Sequence, residues 1–203
     1  MITVIDYGAG NIGSVLNMIK HVGGAAEVAR NAEGVLAAKK ILLPGVGSFD
    51  NAMTRLASLG LVEPLKTRAG DGIPFLGICL GMQLLANGSE EGTMAGLGLI
   101  AGQVRRFRFE GDAAALKIPH MGWNRVTPVV THPLTQGLGT DARFYFVHSY
   151  YFDCENPEDA LLQSVYGPSF TSGVQRGNVM GVQFHPEKSH RYGMQLIKNF
   201  VGL

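Results

Sequence analysis

The segment Pro74-Phe-Leu-Gly-Ile-Cys79-Leu-Gly-Met-Gln83 constrains this chain more than any other. An apolar run stops at Cys79, is bracketed by Gly77 and Gly81, and passes directly into residues of good helix propensity. This pattern predicts a buried strand over 74–78, a sharp turn, and a helix over 80–86 with a cysteine at the bend. Such a bend forces its central residue into sparsely allowed backbone space, so close neighbours must be small. Backbone N–H groups at the helix start, beginning with Leu80, favour negative charge on the sulfur and can stabilise an oxyanion. The plainer alternative is a small buried cysteine at a strand–helix junction. A base elsewhere in the chain decides between the two.

Met180-Gly-Val-Gln-Phe-His185-Pro-Glu187 supplies that base. An apolar strand ends at His185, and Pro186 prevents it from continuing as a helix or central strand. Functional groups in open parallel α/β sheets gather beyond the carboxyl ends of strands, which is where both Cys79 and His185 fall. His185 can take and return the thiol proton, while Glu187 can orient the imidazole and stabilise its charged form. Alone, a strand-end His and Glu would read as solvent-facing. Beside the cysteine turn they read as a triad.

The rest of the first ninety residues alternates strands and helices. Ile2–Asp6, Ala25–Ala29 and Ile41–Leu43 are β-rich, the last ended by Pro44-Gly45. Asn11 caps a predicted helix through Val22, with Ile12, Val15, Leu16 and Ile19 on one face. Ser48–Leu59 and Leu61–Ala69 also have helical spacing. These units predict an α/β fold, an open and mostly parallel sheet with helices on both faces. After Gly88, glycine and proline become frequent, and Phe144–Val147, Leu161–Val165 and Val179–Phe184 suggest antiparallel additions in the C-terminal half. Arg191–Val201 predicts a closing helix. With no repeat or linker, residues 1–203 are expected to form a single domain.

Composition narrows the function classes. The 203 residues are 46% hydrophobic and 16% charged, which suits a globular core. A net charge of +1 gives no general attraction to nucleic acid or anionic membrane. Arg105, Arg106 and Arg108 form a small basic patch that reads as a solvated strand end. The cysteines, Cys79 and Cys154, have neither zinc-site spacing nor the density of a disulfide scaffold, and Cys154 reads as buried filler. No segment reads as a signal peptide or membrane span, so a reducing cytoplasm is the expected compartment.

Together these motifs resemble the class I glutamine amidotransferases. Gly77 to Gln83 is similar to that family's Gly-x-Cys-x-Gly-x-Gln, and His185-Pro186-Glu187 to its His-Pro-Glu. The resemblance extends along essentially the whole chain. It implies a glutaminase with Cys79, His185 and Glu187 as catalytic triad and no metal or organic cofactor. It further implies that Pro44-Gly-Val46-Gly47 is an oxyanion strand, whose N–H groups act with that of Leu80. Gly47, Gln83 and Glu91 would bind the amino-acid end of glutamine, and Ser149 and Tyr150 its carboxylate. Asp6-Tyr-Gly-x-Gly-Asn11, Pro44-Gly-Val-Gly47, Pro119-His-Met-Gly-Trp-Asn124 and Phe146-Val-His-Ser-Tyr-Tyr151 resemble one branch of the family. That branch serves histidine biosynthesis and passes ammonia to a cyclase subunit folded as a (β/α)8 barrel. The resemblance places Gly10, Asn11, His120, Met121, Trp123 and Asn124 against that partner, with Trp123 as an anchor in a loop. Rival readings are a glutaminase serving another synthase, a freestanding γ-glutamyl cysteine hydrolase, and a catalytically silent binding subunit.

Overall fold

The computed structural model describes residues 1–203. Its first half runs β1 (Ile2–Ile5), α1 (Ile12–His21), β2 (Ala26–Ala29), α2 (Ala32–Leu36), β3 (Ile41–Gly45), α3 (Phe49–Ser58), α4 (Val62–Gly70), β4 (Phe75–Cys79) and α5 (Leu80–Gln83). The second half is strand-rich: β5 (Gly88–Ser89), β6 (Gly102–Arg106), β7 (His120–Arg125), β8 (Thr127–Pro128), β9 (Arg143–His148), β10 (Tyr150–Cys154), β11 (Ala160–Val165), β12 (Ser169–Arg176) and β13 (Val179–Val182). Helix α6 (His190–Gly202) closes the chain.

One sheet carries the order β2-β1-β3-β4-β13-β12-β10-β6-β5, with β11 joining β12 and β8. Pairing is parallel from β2 through β13 and antiparallel from β13 through β6. The expected mostly parallel sheet with antiparallel additions is therefore present. Strands β7 and β9 form a separate antiparallel pair.

Alternation along the strands explains the layers. Ile41 and Leu43 of β3 join one apolar core with Val35, Leu56 and Leu65 from α2, α3 and α4. Leu42, between them, joins a second core with Val15 and Ile19 of α1 and Leu196, Ile197 and Phe200 of α6. A sheet covered on both faces needs buried residues at successive positions, as β1, β3 and β4 have, Thr3 of β1 being a polar one that bonds to Glu27. Phe144 and Phe146 bring β9 into the second core. No helix is long and apolar enough to cross a membrane.

Several boundaries differ from expectation. β3 continues through Pro44 and Gly45, because Pro44 pairs with Ile78 and Gly45 with Cys79 of β4. Helix α5 ends at Gln83, and Leu84–Ala86 turn away. One turn of helix gives less axial dipole than the predicted seven residues, so local N–H groups matter more than the helix as a whole. The Trp123 segment is a strand rather than a loop.

Candidate active site

Cys79 ends β4 with φ 55° and ψ −111°, a left-handed conformation that non-glycine residues rarely adopt. Its neighbours make this bend possible. A Cβ on Gly77 would lie 2.5 Å from the Gly81 carbonyl oxygen, and one on Gly81 would run into the Leu43 carbonyl. Gly45 is restricted similarly, since a Cβ there would sit 2.5 Å from the Tyr7 hydroxyl. β3, β4 and the first turn of α5 thus touch through backbone atoms, and the sulfur is raised above the sheet at their junction.

His185 reaches Cys79 because β13 is the parallel neighbour of β4. Val182 lies opposite Ile78, so both chains leave the sheet at the same end. The His185 backbone N–H bonds to the Tyr145 carbonyl, and Ser189 Oγ to the His185 carbonyl, which fixes the strand exit. His185 Nδ1 and Glu187 Oε1 are 2.8 Å apart, with both side chains about 3% exposed. Burial lowers the imidazole's proton affinity, but contact with Cys79 and the bond to Glu187 outweigh it and raise the pKa to about 10. No hydrogen bond of normal geometry joins Nε2 to the sulfur, and Nε2 is without a partner. The two groups are thus close enough to interact electrostatically but have not closed a hydrogen bond, a looseness common in unliganded sites.

A cavity of about 340 Å³ lies over this pair. Val46, Gly47, Cys79, Leu80, Gln83, Glu91, Ser149, Tyr150 and His185 line it, together with Pro119, Val147 and His148. All the residues expected at the nucleophile, oxyanion and glutamine positions meet here, and only Glu187 stands behind, against His185. The Glu91 carboxylate accepts from the Phe49 N–H at 2.8 Å and so ties the pocket to the start of α3. Gln83 is buried, and its amide donates to the Tyr150 carbonyl at 3.2 Å and to Gln183 Oε1 at 3.0 Å. Val46 and Gly47 are exposed, and Gly47 has φ 103° with no atom within 4 Å of a Cβ position. These two residues also line a second cavity with Gly8, Gly10 and Arg55, so they form the wall between the two. In that wall Gly10 packs on Pro44, and Asn11 caps α1 by accepting from the Ser14 N–H.

The proposed partner-facing residues divide by strand parity. Met121 and Trp123 are exposed at 62% and 49%, and Trp123 stacks on His190. His120 does not share their face, contrary to expectation. It is buried, with Nδ1 2.9 Å from His148 Nε2, and Asn124 bonds to its other nitrogen. In β7 alternate residues point to opposite sides, so His120 and Asn124 turn inward where Met121 and Trp123 turn outward. Gln183 and His148 are site residues that sequence reasoning does not single out. Gln183 lies two residues before His185, within the Met180–Glu187 motif, but an amide in a strand carries no distinctive signal.

Two of the three arginines of the basic patch are paired within the fold, and Arg106 is exposed. Arg105 pairs with Asp153 and Glu90, and Arg108 with Glu90. Cys154 is half-buried in β10, where burial chiefly pushes its thiol up to about 12.

A strained cysteine at a strand–helix bend, a charged imidazole held by a carboxylate, and a small polar-lined pocket suit acyl transfer from an amide. Comparisons with known proteins agree. The profile of the family Glutamine amidotransferase class-I matches residues 3–202. A "glutamine amidotransferase" crystal structure superposes with a TM-score of 0.75 at 19% identity, covering 100% of this chain and 99% of that one. A putative GMP synthase protein from Thermoplasma acidophilum gives 0.72 at 19% identity over 99% and 92%, a likeness of fold alone. The chain belongs to the class-I glutamine amidotransferases. Its sequence is 51% identical to imidazole glycerol phosphate synthase subunit HisH of Bdellovibrio bacteriovorus, over 98% of each chain. It is also 51% identical to subunit HisH 2 of Pseudomonas aeruginosa, over 100% of each. Within the family, the chain's branch is that of these HisH subunits.

Proposed function

We propose that this chain is the glutaminase subunit of an imidazole glycerol phosphate synthase. It hydrolyses glutamine to glutamate and ammonia through a thioester on Cys79 and delivers the ammonia to a cyclase subunit. The observation that carries this reading is the meeting of Cys79, at its left-handed bend, with the Glu187-held His185 at one pocket of about 340 Å³.

The Cys79 sulfur attacks the side-chain amide carbon, and the electron pair moves onto oxygen. N–H groups of Leu80 and of the Val46-Gly47 segment receive that oxyanion. The first N–H groups of a helix lack intrahelical partners, which leaves Leu80 available. His185, protonated by its environment, gives its proton to the departing nitrogen, and ammonia leaves. Water then adds to the thioester with His185 as base, releasing glutamate and restoring the thiolate–imidazolium pair. Glu91 faces the substrate α-ammonium, while Ser149 and Tyr150 face its carboxylate.

Ammonia in bulk water near neutral pH is mostly ammonium and no longer a nucleophile. A biosynthetic glutaminase therefore gains from a sheltered route into its partner. The partner is a (β/α)8-barrel cyclase that forms imidazole glycerol phosphate and aminoimidazole carboxamide ribonucleotide in histidine biosynthesis. Met121 and Trp123 are the exposed apolar anchors for it, with Gly10 and Asn11 alongside, while Asn124 turns inward and binds His120 and the Val165 carbonyl. The pair works in the cytoplasm, where the two free thiols stay reduced. Gly47, with open space around it, lets the Val46-Gly47 peptide turn its N–H toward the oxyanion once the partner's ligand binds, so the lone chain is nearly idle.

Ammonia release from glutamine, measured with and without the cyclase, tests this reading. Release rises strongly with the cyclase and disappears in Cys79→Ala. Full release from the isolated chain, or release that survives Cys79→Ala, contradicts it.

A further inference from the structure

Gln183 is fully buried, and its Nε2 lies 3.8 Å from Cys79 Sγ. Side-chain amides can be turned over without changing their shape, so the question is which end faces the sulfur. The surrounding hydrogen bonds decide it. The Tyr150 carbonyl can only accept, and it faces both His148 Nδ1 at 2.7 Å and Gln83 at 3.2 Å. Gln83 must therefore turn its NH2 toward that carbonyl, and its second N–H points at Gln183, 3.0 Å away. Gln183 has to meet that N–H with its oxygen. Its own NH2 is left facing Cys79.

The histidines lock the same polarity from behind. His148 carries its proton on Nδ1, so in the neutral ring Nε2 accepts. His120 Nδ1, 2.9 Å away, is then the donor, and His120 Nε2 accepts from Asn124 Nδ2 at 3.2 Å. Every contact from Asn124 to the sulfur has one donor and one acceptor, and no single amide can flip without placing like against like.

We propose that Gln183 is a catalytic residue, a fixed N–H donor that stabilises negative charge on Cys79 Sγ. This inference rests on Cys79 being the nucleophile. The donor favours the charged sulfur before attack and again when water breaks the thioester and the sulfur departs with the bonding electrons. His185 handles the proton, and Gln183 handles the charge that remains.

The experiment uses the full chain carrying Cys154→Ser, which leaves Cys79 as its one thiol. Alkylation by iodoacetamide is followed across pH in this background and with Gln183→Met or Gln183→Glu added. Removing a hydrogen bond to a charged group should slow alkylation at pH 7 about tenfold and move the profile's midpoint upward. Gln183→Glu puts an acceptor against the sulfur and should move the midpoint at least as far. Circular dichroism of each variant shows whether it is folded, and Gln183→Glu, nearly isosteric, carries the test if Gln183→Met does not fold. A lowered melting temperature with an unmoved midpoint means that Gln183 only fills space, and the proposal falls. Ammonia release in the presence of the cyclase separates the two readings. If it survives Cys79→Ala, the nucleophile assignment itself is wrong; if it needs Cys79 but the midpoint ignores Gln183, only the inference fails.

Discussion

Cys79 shows how one residue's backbone conformation depends on what its neighbours lack. A non-glycine residue at φ 55° costs about 1–3 kcal/mol, a strain sustained only where surrounding structure over-determines it. Here the over-determination is steric. Gly81 has no room for a methyl group because the Leu43 carbonyl occupies the space, and that oxygen belongs to a buried central strand that cannot retreat. Gly81→Ala is therefore expected to destabilise the chain by about 3 kcal/mol or more, read as a lower urea midpoint. A loss under about 0.5 kcal/mol would mean that the bend is looser than described. Glu187→Gln tests a different contribution at the same scale. It keeps the shape beside His185 Nδ1 but removes the charge that helps hold the ring's proton, so partner-stimulated turnover should fall at least about a hundredfold. Unchanged turnover would show that the carboxylate only orients the ring. Both glycines of the turn, and the meeting of Cys79, His185 and Glu187 in one place, were legible in the sequence, because short motifs report local chemistry. Gln183 was not, because its meaning lies in what faces it across β4.

Elements were legible in proportion to how well their pattern matched one burial rule. The amphipathic helices α1, α3 and α6 each show one apolar face and were placed within a residue or two. Helix α2 has only five residues and falls below the length at which helical periodicity is detectable. Strand β7 inverts the usual alternation, burying His120 and half-burying Asn124 while exposing Met121 and Trp123, so it read as a loop. Strand β12 hides behind Ser169, Thr171, Ser172 and Gly173, although Ser172 is satisfied by a buried bond to Ser164. Helix α1 offers a test of propensity isolated from packing. Gly13 is exposed in its first turn, and an added Cβ there meets nothing within 4 Å. Gly13→Ala should stabilise the chain by about 0.5–1 kcal/mol, measured by chemical denaturation. A destabilisation would indicate that this turn is not helical in solution.

At the scale of the whole molecule, the candidate site exists because the sheet brings β13 to β4 and seats the β7–β9 pair on the second core beside them. The sequence indicated the class of sheet but not this strand order, since pairings between distant segments leave no local trace. The packing also buries two neutral histidines, His120 and His148, where the pair meets the sheet. Burial lowers His120 to about 4, and lowers His148 to about 3 with further contributions from the charges of His120 and His185. Both lie below the value of about 6.5 expected in the unfolded chain. The unfolded state therefore binds protons that the folded state refuses, so this contribution to stability is complete above pH 6.5 and is lost as pH falls toward 4 and then 3. His185 acts in the opposite sense. Its contribution is complete below about 6.5 and is lost as pH rises toward its folded value of about 10. Stability should therefore peak near neutrality. On the acid side it should fall with a slope approaching that of two protons, about 2.7 kcal/mol per pH unit. In a His120→Gln, His148→Gln double variant the melting temperature between pH 6.5 and 4.5 should decline less steeply than in the wild type, whatever its absolute value. Parallel declines would mean that the two rings take up protons without unfolding, and that the polar chain behind the pocket is wetter than its burial implies.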